Sequence, residues 1–228
     1  MRFLFGLLAL IGAAFAFSLS ATAAAPDWQA HVTKTADGGF LVGNPNAKVK
    51  LVEYMSYTCP HCAAFSRESA SVLRGQMIKS GSVSLEERNM VRDQLDLAAA
   101  LLARCAGPAG FDKLSTTFFA QQDTWLNNGI QWEQNNSQRM AMYPKDARLK
   151  AAAEGAGISA IARANGMSQA QIDACLADPA GLAQITTLLQ HVPQGITGTP
   201  GFLIDGKLQR NVYNWATLEP ALRAAGAR

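Results

Sequence analysis

Val49-Lys50-Leu51-Val52-Glu53-Tyr54-Met55-Ser56-Tyr57-Thr58-Cys59-Pro60-His61-Cys62 is the stretch on which the fold turns. Val49 to Met55 is rich in strand formers with little regular alternation, as in a central strand covered on both faces. Ser56-Tyr57-Thr58 ends it. Pro60 suits the first turn of a helix, where its missing N–H would have no partner anyway. Cys62 to Arg74 then supplies helix formers up to an expected stop near Gly75. Two cysteines at i and i+3 thus stand at the start of a helix that follows a strand, the pattern of a redox-active dithiol. The helix's unpaired N–H groups and positive dipole end favour a thiolate at Cys59, the attacking sulfur, while Cys62 one turn on resolves the intermediate. His61 is expected to add donors or positive charge beside Cys59 and to lower its pKa further. A Cys59 pKa near 4 in place of about 8.5 would stabilise the thiolate by roughly 4 kcal/mol at pH 7, on the order of 90 mV toward a more oxidising couple.

Downstream, a second strand is expected from Ser82 to Met90, which makes strand, helix, strand, the start of a layered α/β domain. Upstream, Trp28 to Val42 with Asp37-Gly38-Gly39 in its middle reads as a hairpin or a pair of edge strands. The character changes at Val91: up to about His191 the readable segments are helical, with helices expected at Leu95 to Ala106, Phe111 to Gln121 and Ala147 to Asn165. Ser168 with Gln171 has the form of a capping box, and Asp178-Pro179 that of a cap followed by a first-turn proline. The polar run Gln131 to Gln138 is expected to be a loop between helices. Strand character returns in Phe202-Leu203-Ile204, Asp205-Gly206 turns the chain into Lys207 to Val212, and a last helix is expected from Trp215 to Ala224.

With 49% hydrophobic and 16% charged residues, the 228-residue chain is neither disordered nor collagen-like. Its formal charge of +3 is small and scattered, which argues against a nucleic-acid partner. No metal or cofactor is expected. A zinc site would need another close Cys or His pair, whereas Cys105, Cys175, His31 and His191 are solitary; c-type haem attachment wants His where Ala63 stands. Copper(I) held by Cys59 and Cys62, with Met140 or Met142 nearby, is a chemical alternative. A purely structural bond between Cys59 and Cys62 would close too small a loop to stabilise much. At the N-terminus, Arg2, an uncharged run from Phe3 to Leu19 and then Ala21-Thr22-Ala23-Ala24-Ala25 follow the order of a signal peptide. Residues 1–24 are read as that signal, with an uncleaved membrane anchor as the rival, and export of a bacterial style would place the mature chain in the periplasm, where disulfides persist.

Cys59-Pro60-His61-Cys62, the helical stretch after it, and Gly198-Thr199-Pro200-Gly201-Phe202-Leu203-Ile204-Asp205-Gly206 together resemble the DsbA-like thiol:disulfide oxidoreductases, over essentially the whole mature chain. The resemblance implies an α/β thioredoxin fold with an inserted all-helical domain: residues 25–90 and 193–228 form the two parts of the thioredoxin-like domain and residues 91–192 the insert. It implies that Cys59 is the nucleophile, and that a cis bond between Thr199 and Pro200 packs against the active sulfurs and offers Thr199 backbone groups to an extended client chain. Glu53, six residues before Cys59, stands where the superfamily places a buried acid, able to move a proton to or from Cys62. Thr199 departs from the Val of the best-known oxidases and is similar to what disulfide isomerases and several other DsbA-like branches carry. The Pro-His pair resembles the oxidising members, and the segment from Pro26 to Lys48 is too short for the dimerisation domain of periplasmic isomerases. A monomeric oxidase is therefore expected, with reduced or unfolded exported proteins as clients and a DsbB-like membrane quinone-linked oxidase as the reoxidising partner. Isomerase or reductase work, a copper carrier and a chaperone are the alternatives. An even number of cysteines in an exported chain predicts a second, structural disulfide between Cys105 and Cys175.

Overall fold

The computed structural model describes residues 26–228, so the expected signal peptide at residues 1–24 lies outside the described residues. A short 3-10 turn at Trp28–Ala30 leads into β1 (Val32–Lys34) and β2 (Phe40–Gly43), a hairpin whose turn places Gly38 at φ 88°. β3 (Val49–Met55), α1 (Pro60–Ser69) and β4 (Val83–Asn89) follow. Helices then run in succession: α2 (Gln94–Cys105), α3 (Gly107–Ala120), α4 (Gln122–Ala141), α5 (Lys145–Ala156), α6 (Ile158–Ala164), α7 (Gln169–Leu176) and α8 (Pro179–Gln190). β5 (Gly201–Ile204), β6 (Lys207–Leu208) and α9 (Trp215–Ala225) complete the chain.

The six strands form one sheet in the order β1-β2-β4-β3-β5-β6. β3 and β4 are parallel, with α1 in the crossover that such a pair requires, and the remaining neighbours are antiparallel. β3 therefore lies inside the sheet, flanked by β4 and β5, which is why its sequence shows no alternation. Apolar side chains pack on both sides of it. One cluster joins Val49, Leu51, Phe65, Leu73, Met77, Phe202, Trp215, Leu218 and Leu222 from the strands, α1 and the helical turns that follow it, and α9. The other joins Phe40, Met55, Cys59 and Cys62 to Leu102, Phe111, Phe118, Trp125 and Ile158 from the helical stretch. Phe40 and Phe111 stack at a 3.9 Å centroid distance and fix the contact between β2 and α3. The result is an α/β thioredoxin fold carrying a set of helices between β4 and β5. No described helix is long and apolar enough to cross a membrane.

Four sequence expectations are corrected. The helix after Cys59 does not stop near Gly75 but continues as a π-type segment, Ala70–Ile78. The positive φ that ends it falls at Gly81 (80°), where an added Cβ would come within 2.6 Å of the Trp28 ring. Gln131 to Gln138 is not a loop; it lies inside α4. Close packing on its neighbours outweighs its weak helix propensity: a Cβ on Gly129 would lie 2.6 Å from Leu95, and one on Gly155 would lie 2.3 Å from the ring of Trp132. The helix expected over Ala147 to Asn165 is two, broken where Gly157 takes φ 84° between α5 and α6. The last strand is only Lys207–Leu208, because Asn211 turns to φ 60°.

Candidate active site

β3 delivers the chain to Ser56, and Cys59 then caps α1 from an extended conformation (φ −85°, ψ 117°) with Pro60 in the first turn. The Cys59 carbonyl accepts from the N–H groups of Cys62 at 3.1 Å and Ala63 at 3.2 Å, so its thiol sits over the open end of the helix. Cys59 is 2% exposed and Cys62 is fully buried, while Pro60 and His61 face solvent. Both sulfurs are free thiols. The Thr199–Pro200 bond is cis, and the Cys59 thiol donates to the Thr199 carbonyl at 3.1 Å across 140 positions of sequence. The fold thus brings Cys59, Cys62, Pro60, His61, Thr199 and Pro200 together.

The two thiols are driven in opposite directions. Hydrogen bonding from the Cys62 thiol, then from the Thr199 side chain and the backbone N–H groups of Cys62 and His61, lowers the Cys59 pKa to about 5 against the opposing effect of burial. Burial, the Cys59 hydrogen bond and the charge of Glu53 push Cys62 well above the usual thiol range. These shifts favour the thiolate at Cys59 and the thiol at Cys62 at neutral pH. His61 acts differently from the sequence expectation: its backbone amide, not its solvent-facing ring, serves the sulfur. Glu53 is 2% exposed, with burial first and the neighbouring Glu87 carboxylate second raising its pKa well above the carboxylate range.

Sequence reasoning missed the residues that grip the loop before Cys59. Gln122, at the start of α4, donates from Nε2 to the carbonyls of Tyr57 at 2.7 Å and Cys59 at 2.9 Å. Arg92 donates to the Thr58 hydroxyl at 3.0 Å and to the Thr58 carbonyl, and that hydroxyl in turn donates to Asp93. Buried Asp96 accepts from the N–H of Tyr57 at 2.8 Å and of Arg92 at 3.2 Å, and burial raises its pKa to about 7. The one available signal was Asp96 itself, a carboxylate on the apolar face of Leu95-Asp96-Leu97-Ala98-Ala99-Ala100-Leu101. Away from this loop, Cys105 and Cys175 are disulfide-bonded, with Cα atoms 6.0 Å apart, and join the ends of α2 and α7. Among the described residues no cluster of three His, Cys, Asp or Glu side chains is placed to hold a metal ion.

A family model described as thioredoxin matches residues 35–224. The chain belongs to the thioredoxin family. A crystal structure named protein-disulfide isomerase from Novosphingobium aromaticivorans is similar at 34% identity and TM-score 0.75, covering 81% of this chain and 95% of that one. Wolbachia pipientis alpha-DsbA1 shares the fold at 20% identity and TM-score 0.65, covering 81% of this chain and 89% of that one. A Rickettsia conorii protein named as a protein-disulfide oxidoreductase is 29% identical over 196 residues, 84% of this thioredoxin-family chain. The chain spans 62% of that relative's length and 66% of the length of a Rickettsia bellii protein of the same name.

Proposed function

We propose that this protein is a periplasmic thiol:disulfide oxidoreductase that introduces disulfides into exported proteins through Cys59 and Cys62. The observation that carries the reading is the split between the thiols: Cys59 ionises at about 5 while Cys62 is held as a thiol. A Cys59 pKa of about 5 instead of about 8.5 stabilises the reduced form by roughly 2.7 kcal/mol at pH 7, on the order of 60 mV toward an oxidising couple. The disulfide is then the less stable form and is donated readily. A client thiolate attacks Cys59, the Cys59–Cys62 bond opens with its electron pair on Cys62, and Glu53 supplies the proton Cys62 needs. A second client thiolate then attacks the client sulfur of the mixed disulfide and releases Cys59 as its stable thiolate. Thr199, with its carbonyl at the nucleophile, lines the path of an extended client.

The remaining parts of the reading are the signal peptide at residues 1–24, an inserted helical domain at residues 91–192 between two thioredoxin-like parts, a monomeric state, and reoxidation by a DsbB-like membrane quinone-linked oxidase. Isomerase work is the second reading, supported by Thr199 before the cis proline and by the name of the 34% identical structure. The redox equilibrium of the mature protein with glutathione, read with Cys105 and Cys175 replaced by Ala, separates the two. A potential well above thioredoxin's, toward about −120 mV, is the expected result, and one near about −270 mV would move the protein to the reductase or isomerase side. A Cys59→Ser variant separates both from a holdase, whose binding of unfolded chains would survive the change.

A further inference from the structure

Beside Glu53 lies a second buried carboxyl that the exchange reaction above does not use. Glu53 on β3 and Glu87 on β4 are direct register partners on adjacent parallel strands, so both side chains leave the same face of the sheet. Each is 2% exposed. Glu53 Oε1 and Glu87 Oε2 are both buried without a hydrogen-bond partner among the described residues, as are the Tyr57 hydroxyl and Ser115 Oγ beside them. Arg74, from the π-type segment after α1, donates to Glu87 at 2.8 Å and to Asp112 on α3. The groups facing Glu87 are thus Glu53 from β3, Arg74 from the helix, Asp112 and Ser115 from α3, and Tyr57 from the active-site loop. One guanidinium stands among three carboxyls, and two of those are sealed from water. Side-chain exposure rises from 3% at Glu87 through 10% at Arg74 to 22% at Asp112, the edge nearest solvent.

We propose that Glu87 is a positioning residue for the exchange reaction, sharing with Glu53 the single proton that Cys62 takes up when the Cys59–Cys62 bond opens. This rests on the exchange reading above. Two neighbouring carboxylates in a buried site cannot both ionise cheaply beside one cation, so the pair retains a proton near neutrality. Burial raises Glu87 to about 7 and Glu53 well above its usual range. When a client thiolate displaces Cys62, the proton passes from the pair to the Cys62 sulfur. The pair is left doubly ionised against Arg74 and is refilled from solvent. In the reverse direction the pair first gives up its proton to solvent and then takes the Cys62 proton as the disulfide closes.

The test is the pH profile of disulfide reduction by an unstructured dithiol peptide, compared among wild type, Glu87→Gln, Glu53→Gln and the double variant. Glu87→Gln removes a neighbouring charge, so the Glu53 inflection should move about one pH unit toward acid and the neutral rate should fall about tenfold. In the Glu53→Gln background the second change should add nothing. A folded Glu87→Gln protein with an unmoved profile, or an equal shift in both backgrounds, would overturn the inference while leaving the exchange reading intact; an inactive wild type would remove both. Infrared difference spectra of the native protein on reduction need no variant: signals from two buried carboxyls are expected, and a signal from one alone contradicts the shared proton.

Discussion

A thiol that ionises near pH 5 in the folded chain and near 8.5 in the unfolded one ties stability to pH. Between those values the unfolded dithiol chain binds one proton more than the folded one, so the stability of the reduced protein rises with pH, by about 1.4 kcal/mol per unit. The buried acids pull the other way: Glu87 and Asp96, both raised to about 7, make the folded chain bind more protons below neutrality. They are present in the disulfide form as well. The difference in unfolding free energy between the dithiol and disulfide forms therefore reports the two thiols: it should grow from about pH 5 to about 8.5 through Cys59 and then fall, because above that value the unfolded Cys62 ionises while the folded one, held well above the usual thiol range, keeps its proton. Urea unfolding of both forms across that range measures it, and a difference independent of pH would mean that Cys59 is not held as a thiolate. Cys59 and Cys62 were legible in the sequence because their chemistry depends on spacing at a helix start. The source of the perturbation was less so, since the donors that matter include backbone groups of Cys62 and His61 and the side chain of Thr199, 140 positions away.

At the scale of elements, the loop Ser56 to Thr58 is held from the helical side, not from the sheet. Gln122 caps two carbonyls, Arg92 one, and Asp96 one N–H, so the first turns of α2 and α4 set the path of the chain into Cys59. Gln122→Met keeps the bulk of the side chain and removes both donors. The Tyr57 carbonyl would be left buried without that bond, at a cost of about 1–3 kcal/mol, and exchange should slow as the loop loosens. Thermal unfolding together with the Cys59 thiolate absorbance checks this; an unchanged melting temperature and titration would show the clamp to be incidental. Apart from Asp96 on its apolar helix face, none of this was visible in the sequence, because the partners are 34 to 65 positions apart and each bond joins a side chain to a backbone group. The same limit explains α4. Gln131 to Gln138 looks like a loop by composition, yet Asn136 bonds back to the Trp132 carbonyl at 2.8 Å and Gly155 leaves room for the Trp132 ring. The strands and the capping box at Ser168 were legible because their signals are local in the chain.

Across the whole molecule, α2 links the dithiol to the second disulfide. Its N-terminal turn holds the active-site loop through Asp93 and Asp96, and its last residue, Cys105, is bonded to Cys175 at the end of α7. Twelve residues of helix separate these two ends by about 18 Å, too far for direct contact between the disulfide and Cys59. The bond closes a loop of 70 positions, for which the chain-entropy model gives up to about 4 kcal/mol. Replacing Cys105 and Cys175 together by Ala should therefore lower the unfolding free energy by an amount approaching that value. Because the loop is gripped at the first turn of α2 by hydrogen bonds that the disulfide does not make, the Cys59 titration should stay near pH 5 in the double variant. Urea unfolding and thiolate absorbance on one preparation read both quantities. A stable variant whose Cys59 titration moved would show instead that α2 couples the Cys105–Cys175 bond to the dithiol, and that this bond tunes the chemistry of Cys59.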